Sequence, residues 1–285
     1  MSAKKAQRKS GNALKVAIWA IVGVVIVVLF LVLVKAVSGG GNSTATTGSS
    51  PAPAALVKQV TTLPASLFAT VGQGSVTTFP KKVQAPALTS NGKPLIVYIG
   101  AEYCPYCAAE RWPMVIALSR FGSWQNLQLT HSSTTDVYAN TRTFSFHGAT
   151  FSGDNLALNT VEMQSNVAGG DGGYTTLETP TATETALLNT YDVPPYTSSQ
   201  GGIPFIDFGG QYISSGASYN PGVLAGKTQQ QIADALSDPT SQISQSVIGA
   251  ANVLTAVMCS LTDNQPGNVC STSTIQMLQA KINAA

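Results

Sequence analysis

The chain has 285 residues, 44% of them hydrophobic and only 10% charged, with a formal net charge of +2. Six basic residues and no acid fall in the first 35; the remaining 250 hold nine basic and thirteen acidic residues, about −4. The positive sum therefore belongs to a short N-terminal segment, and with no Lys/Arg stripe interleaved with aromatics, a nucleic-acid partner is excluded.

Taken in chain order, residues 1–15 form a basic tail with Lys4, Lys5, Arg8, Lys9 and Lys15. Val16 to Val34 is an uncharged run of nineteen residues, almost all aliphatic, with Trp19 near its start. A bilayer core needs about 20 apolar residues of helix, so 16–34 is expected to be a single-pass anchor in the lipid bilayer. The charge bias around it puts the N-terminus in the cytoplasm and the rest of the chain outside the cell membrane. The alternative is a cleaved leader, whose apolar stretch is ordinarily about 7–15 residues and so shorter than this one. Residues 35–54, rich in Gly, Ser, Thr and Pro, are expected to be a flexible linker. The folded extracytoplasmic domain is then expected over 55–285.

Four cysteines in an exported chain suggest two intramolecular pairs. Leu95 to Ile99 is a short apolar run bounded by turn residues, which predicts a buried strand. Gly100-Ala101-Glu102-Tyr103 turns the chain into Cys104-Pro105-Tyr106-Cys107, and Ala108 to Phe121 has the composition of a helix, with Pro113 inside it as a kink. At such a junction Cys104 meets the unpaired amides of a helix N-terminus, which favour its thiolate over the free value of about 8.5. Cys104 is the expected nucleophile. Cys107, one turn in, is the expected resolving thiol that opens or closes a mixed disulfide. Pro105 suits the first helical turn, where its missing N–H is not needed.

Ala101 to Cys107 resembles the active-site approach of the thioredoxin superfamily, with the Pro-Tyr dipeptide of glutaredoxins and some exported disulfide isomerases. Gly202-Ile203-Pro204-Phe205-Ile206-Asp207-Phe208-Gly209-Gly210 resembles that superfamily's second signature, a strand opened by a cis-proline. The resemblance implies an α/β thioredoxin-like fold and a thiol–disulfide oxidoreductase acting on protein thiols and disulfides. It further implies that Pro204 is cis, and that Ile203, Pro204 and Tyr106 form the substrate-binding surface. No cofactor or metal is called for; a membrane redox partner would recycle the pair. The whole chain also resembles a membrane-anchored thioredoxin-like family, a domain of unknown function, of archaea and actinobacteria.

Two departures stand out. The acid that the superfamily buries beneath its second cysteine falls here on Tyr98, leaving Glu102 or Glu110 as substitutes, both expected at the solvated surface. Residues 143–176, with alternating apolar positions and Gly-rich turns, read as a β-rich insertion, and Pro194 to Gln200 as a smaller one.

By the same resemblance Leu187 to Val193 is the end of the helix before the cis-proline strand and Thr228 to Leu236 the last helix, and Ser241 to Leu261 and Ser271 to Ile282 form a C-terminal helical extension over about 240–285. A Cys259–Cys270 bridge would staple that hairpin, a structural disulfide stabilising by about 3 kcal/mol on chain-entropy grounds. A zinc site from the four cysteines lacks a second close-spaced pair, and Cu(I) transfer lacks a supporting Met or His cluster. His131 and His147 are isolated, and Trp112 and Trp124 read as core. The competing view of the whole is a non-catalytic binding module on the same scaffold, with both disulfides structural.

Overall fold

The computed structural model describes residues 48–170 and 172–284. The basic tail, the 16–34 anchor and the linker as far as residue 47 lie outside the described residues.

The fold is mixed α/β and grows from one strand. β1 (Lys93–Gly100) is a continuous apolar run, fully buried over its second half, as expected of a strand covered on both faces. β2 (Ala157–Glu162) pairs with it in parallel, Gly100 opposite Glu162. β3 (Phe205–Phe208) pairs on the other side, antiparallel, with Phe205 opposite Ile99. β4 (Tyr212–Ser215) closes a hairpin with β3, and the pair Lys81–Lys82 adds to its outer edge. Thr89–Ser90 folds back on the start of β1. The sheet order is therefore β2-β1-β3-β4.

Strand alternation sends side chains to two cores. Ile96, Tyr98, Ile206 and Phe208 join the larger one, and Val97, Ile99, Phe205 and Ile213 the smaller. The larger core is covered by α1 (Ala54–Thr61), α2 (Ala65–Val71) and α3 (Pro105–Leu118), which leads directly out of β1. The smaller core lies under α4 (Ala182–Tyr191), whose Leu187, Leu188 and Tyr191 pack on it. Thr181 opens α4 and Thr228 opens α5 (Gln229–Leu236), each with a capping box that satisfies two first-turn amides.

α6 (Gln242–Leu261) is buried nearly all round because it runs through the larger core. By length and composition it could cross a membrane, yet 89% of its most apolar stretch is buried by the fold. Gly249 lets α6 press against the turn after α2, since a Cβ there would collide with the carbonyl of Gln73. α7 (Ser273–Ala284) packs back on α6. Cys259, in the last turn of α6, and Cys270, at the end of the short helix Gly267–Cys270, are bridged, with Cα atoms 5.5 Å apart.

Two expectations change. The expected linker reaches residue 54, but Ser50–Pro51 already pairs with Gln128–Leu129 and Ala52 N–H bonds to Leu127 O, so backbone pairing fixes the chain earlier. The segment 143–176 is strand-built as expected, but β2 within it is the parallel neighbour of β1 and so belongs to the central sheet. The helix after the cysteines begins at Pro105, with Cys104 as its cap, as the placing of Pro105 in the first turn implies. Pro113 sits inside that helix and cannot bond the carbonyl of Ala109; the Tyr219 hydroxyl donates to that carbonyl instead, at 2.8 Å.

Candidate functional site

β1 delivers the chain to the cysteines through Gly100, where a Cβ would collide with Tyr98 Oη and approach Cys107 Sγ. Only glycine lets the strand end pass this close. Cys104 then caps α3 with extended backbone, its Sγ accepting the Cys107 amide at 3.3 Å, and Pro105 occupies the first turn. The Cys104 thiol also faces the carbonyl of Ile203 at 3.6 Å, across from a cis Ile203–Pro204 peptide. Two segments about a hundred residues apart in the chain thus meet at one point.

Both cysteines are free thiols, Cys104 with 5% of its surface exposed and Cys107 with none. Their surroundings drive them apart. The Cys104 thiol is lowered from its ordinary value, chiefly by the hydrogen bond from the Cys107 side chain; burial opposes this, and the Cys107 amide and the Arg111 charge assist. The Cys107 thiol is pushed well up, first by burial and then by the hydrogen bond and charge of Cys104. One sulfur is poised to ionise and its neighbour holds the proton.

Beneath the pair lies a buried ion pair that the sequence did not reveal. Arg111 is four residues after Cys107, hence on the same face of α3. Its Nε and Nη2 each donate to Glu162 at 2.7 Å, and Nη2 also donates to Ala101 O at 2.8 Å. Both side chains are completely buried. The guanidinium carbon lies 6.0 Å from the centre of the Tyr98 ring. The Tyr98 hydroxyl has no hydrogen-bond partner among the described residues, and burial raises it well above its ordinary value. Where the resemblance implies an isolated acid, the chain therefore puts a tyrosine beside an arginine–glutamate pair.

Glu102 and Glu110, expected at the surface, are fully buried. Each is paired away from the cysteines: Ser145 Oγ donates to Glu102, and Ser218 donates to Glu110 through its amide at 2.7 Å and its hydroxyl at 2.8 Å. Burial pushes Glu102 to about 6 and Glu110 to about 7.

Around the motif, loops from distant parts of the chain form the rim. The turn residue Tyr103 stacks on Tyr174 at 4.4 Å, the Tyr174 hydroxyl donates to Ser133 at 2.6 Å, and the Ser133 amide donates to Tyr103 O at 2.7 Å. Tyr106 is 40% exposed and meets Tyr138 edge-on. These two rings border a crevice of about 530 Å³ with Ser218 and Pro221. A second crevice of about 220 Å³ shares its Thr78–Ala217–Ser218 wall and runs past Tyr196 and Ser198, in the segment 194–200, alongside β4. The Gly216 amide ties that wall to the Pro204 carbonyl at 2.8 Å.

The other candidates lie elsewhere. His147 pairs with Glu178 at 2.6 Å, and His131 Nδ1 lies 2.8 Å from Ser132 O. Trp112 is wholly buried and donates to Arg142 O, while Trp124 stacks on Phe146. Among the described residues no cluster of His, Cys, Asp and Glu could hold a metal ion.

Residues 80–167 and 176–260, together more than half of the chain, match the family described as a domain of unknown function, DUF929. The chain belongs to the DUF929 family. The match takes in the cysteine motif, Arg111, Glu162 and the Ile203–Pro204 strand, so the site lies within the DUF929 domain; Cys270 and α7 lie beyond it. No curated protein and no solved structure matches the sequence.

Proposed function

We propose that this DUF929 protein is a thiol–disulfide oxidoreductase of thioredoxin-like architecture, held by residues 16–34 at the outer face of the cell membrane. The observation that carries the reading is the meeting of Cys104, as the cap of α3, with the Ile203 carbonyl opposite. An ionisable sulfur thus lies beside a backbone carbonyl at the opening of a strand. The sheet order supports the same architecture: β2 parallel and β3 antiparallel to β1, with the cysteine pair where β1 passes into α3.

In this mechanism the Cys104 thiolate attacks one sulfur of a protein disulfide. A mixed disulfide forms, and the other substrate sulfur leaves as a thiolate. Cys107 gives up its proton and attacks Cys104 Sγ, breaking the mixed disulfide and releasing the second substrate thiol. The substrate gains two electrons and the pair becomes a disulfide; the reverse sequence oxidises a substrate dithiol. Ile203 and Tyr106 would line the substrate, and Arg111 would favour each thiolate as it forms.

One observation favours a second reading, a binding module that uses the scaffold without turnover: only 5% of the Cys104 surface is exposed. Trapping separates the two. In the full chain, Cys107→Ala should accumulate mixed disulfides with exported proteins through Cys104, and Cys104→Ser should accumulate none. Equal capture by both variants, or by neither, contradicts turnover.

A further inference from the structure

Just past the end of α3, in the turn that follows Leu118, Arg120 is a second arginine in a different situation from Arg111. The 14-residue helix, about 21 Å long at 1.5 Å per residue, separates Arg120 from Cys104, so the chemistry of Arg120 is independent of the cysteine pair. Its Nη1 donates to Asn252 Oδ1 at 3.2 Å and to Thr255 Oγ1 at 3.1 Å, and its guanidinium stacks 4.2 Å over the Phe68 ring. Among the described residues it has no carboxylate partner. Its Nε and Nη2 make no hydrogen bond there either.

Arg120 opens on a crevice of about 320 Å³ enclosed by α2, α6 and the start of α7. Leu63, Phe68 and Val269 form apolar walls, Thr272, Thr274 and Asn268 the polar ones, and no acid lines it. Thr272 spends its hydroxyl on Val269 O. The Asn268 amide and the Thr274 hydroxyl make no hydrogen bond among the described residues. Burial alone brings the Arg120 guanidinium down to about 10, with nothing to offset it. A half-buried cation without a counter-charge, facing a cavity with uncommitted donors, is an arrangement that an anion completes.

We propose that this crevice binds a small oxyanion, a carboxylate or a phosphate group, through the free edge of Arg120 with Thr274 and Asn268 on the facing wall. Two parallel N–H donors suit either oxyanion, and the apolar walls leave room for the body of a ligand that carries one.

The test is calorimetric titration of the full chain in detergent with sodium phosphate and, separately, with sodium acetate, at fixed ionic strength. The expected result is saturable binding of at least one of them at one site per chain, weakened about tenfold or more by Arg120→Gln; whichever anion binds more tightly identifies the source. Because Arg120→Gln also loses contacts to Asn252 and Thr255, Thr274→Val serves as a second variant that leaves Arg120 in place, and it should weaken binding severalfold. Absence of saturable binding to the wild-type chain, or binding that both variants leave unchanged, overturns the proposal.

Discussion

Two cysteine pairs sit in one domain and have opposite surroundings. Cys259 and Cys270 are bridged between a core helix and the short helix that follows it, both fully buried in the larger apolar core. Cys104 and Cys107 are thiols at a helix start, beside a backbone carbonyl, above a buried ion pair. The spacing along the chain is only the first difference. What separates the pairs chemically is that one has charge and hydrogen-bond donors aimed at a sulfur, and the other, among the described residues, has none.

The largest effect should come from the ion pair beneath Cys104 and Cys107. Arg111→Met leaves Glu162 buried without a counter-charge and should cost about 3–5 kcal/mol in urea denaturation. Adding Glu162→Leu should recover most of that loss while leaving the Cys104 thiolate less stable, seen as a raised pH midpoint for alkylation. If the double variant kept the wild-type alkylation profile, the pair would be a packing device alone.

Next is the bridge. Replacing Cys259 and Cys270 together by Ala should cost about 2–4 kcal/mol and leave alkylation of Cys104 unchanged. A change in Cys104 reactivity would mean that the two pairs communicate.

A smaller effect comes from pH. Burial raises Glu102 to about 6, Glu110 to about 7 and Asp207 to about 6. Their folded values exceed their unfolded ones, so the folded state binds more protons. Stability then falls as pH rises from the ordinary carboxylate range through 6 and 7. The domain should be more stable at pH 5 than at pH 8, by on the order of 1–3 kcal/mol, and Glu110→Gln should flatten part of that slope. A flat or rising profile contradicts the assignment.

Smallest is Tyr219→Phe. It removes the hydroxyl that satisfies the carbonyl freed by Pro113 and should cost about 1–2 kcal/mol, with no change at the cysteines.

The sequence makes legible whatever depends on short-range pattern. The β1 run, the cap at Cys104, the Ile203–Pro204 strand opening and the apolar face of α6 each announce themselves within a few residues. The polar core of the site does not, because it is assembled by register between strands. Glu162 reaches Arg111 only because β2 lies parallel to β1 with Gly100 opposite Glu162, a pairing across some sixty residues of chain. The i, i+4 relation of Cys107 and Arg111 is the one local hint. Glu102 and Glu110 escape the sequence for a similar reason: their partners, Ser145 and Ser218, come from distant loops, and without them a carboxylate reads as solvated.

The most direct measurement is the reduction potential of the Cys104–Cys107 pair in the full chain, by equilibration in glutathione buffers and thiol trapping. The Cys259–Cys270 bridge serves as the internal reference. The expected result is a reversible couple within about −120 to −270 mV, the span of known disulfide oxidants, isomerases and reductants, while the reference bridge stays oxidised. A Cys104–Cys107 pair that stays oxidised below about −300 mV alongside the reference would behave as a second structural disulfide. That result would contradict the claim that the two pairs differ in kind.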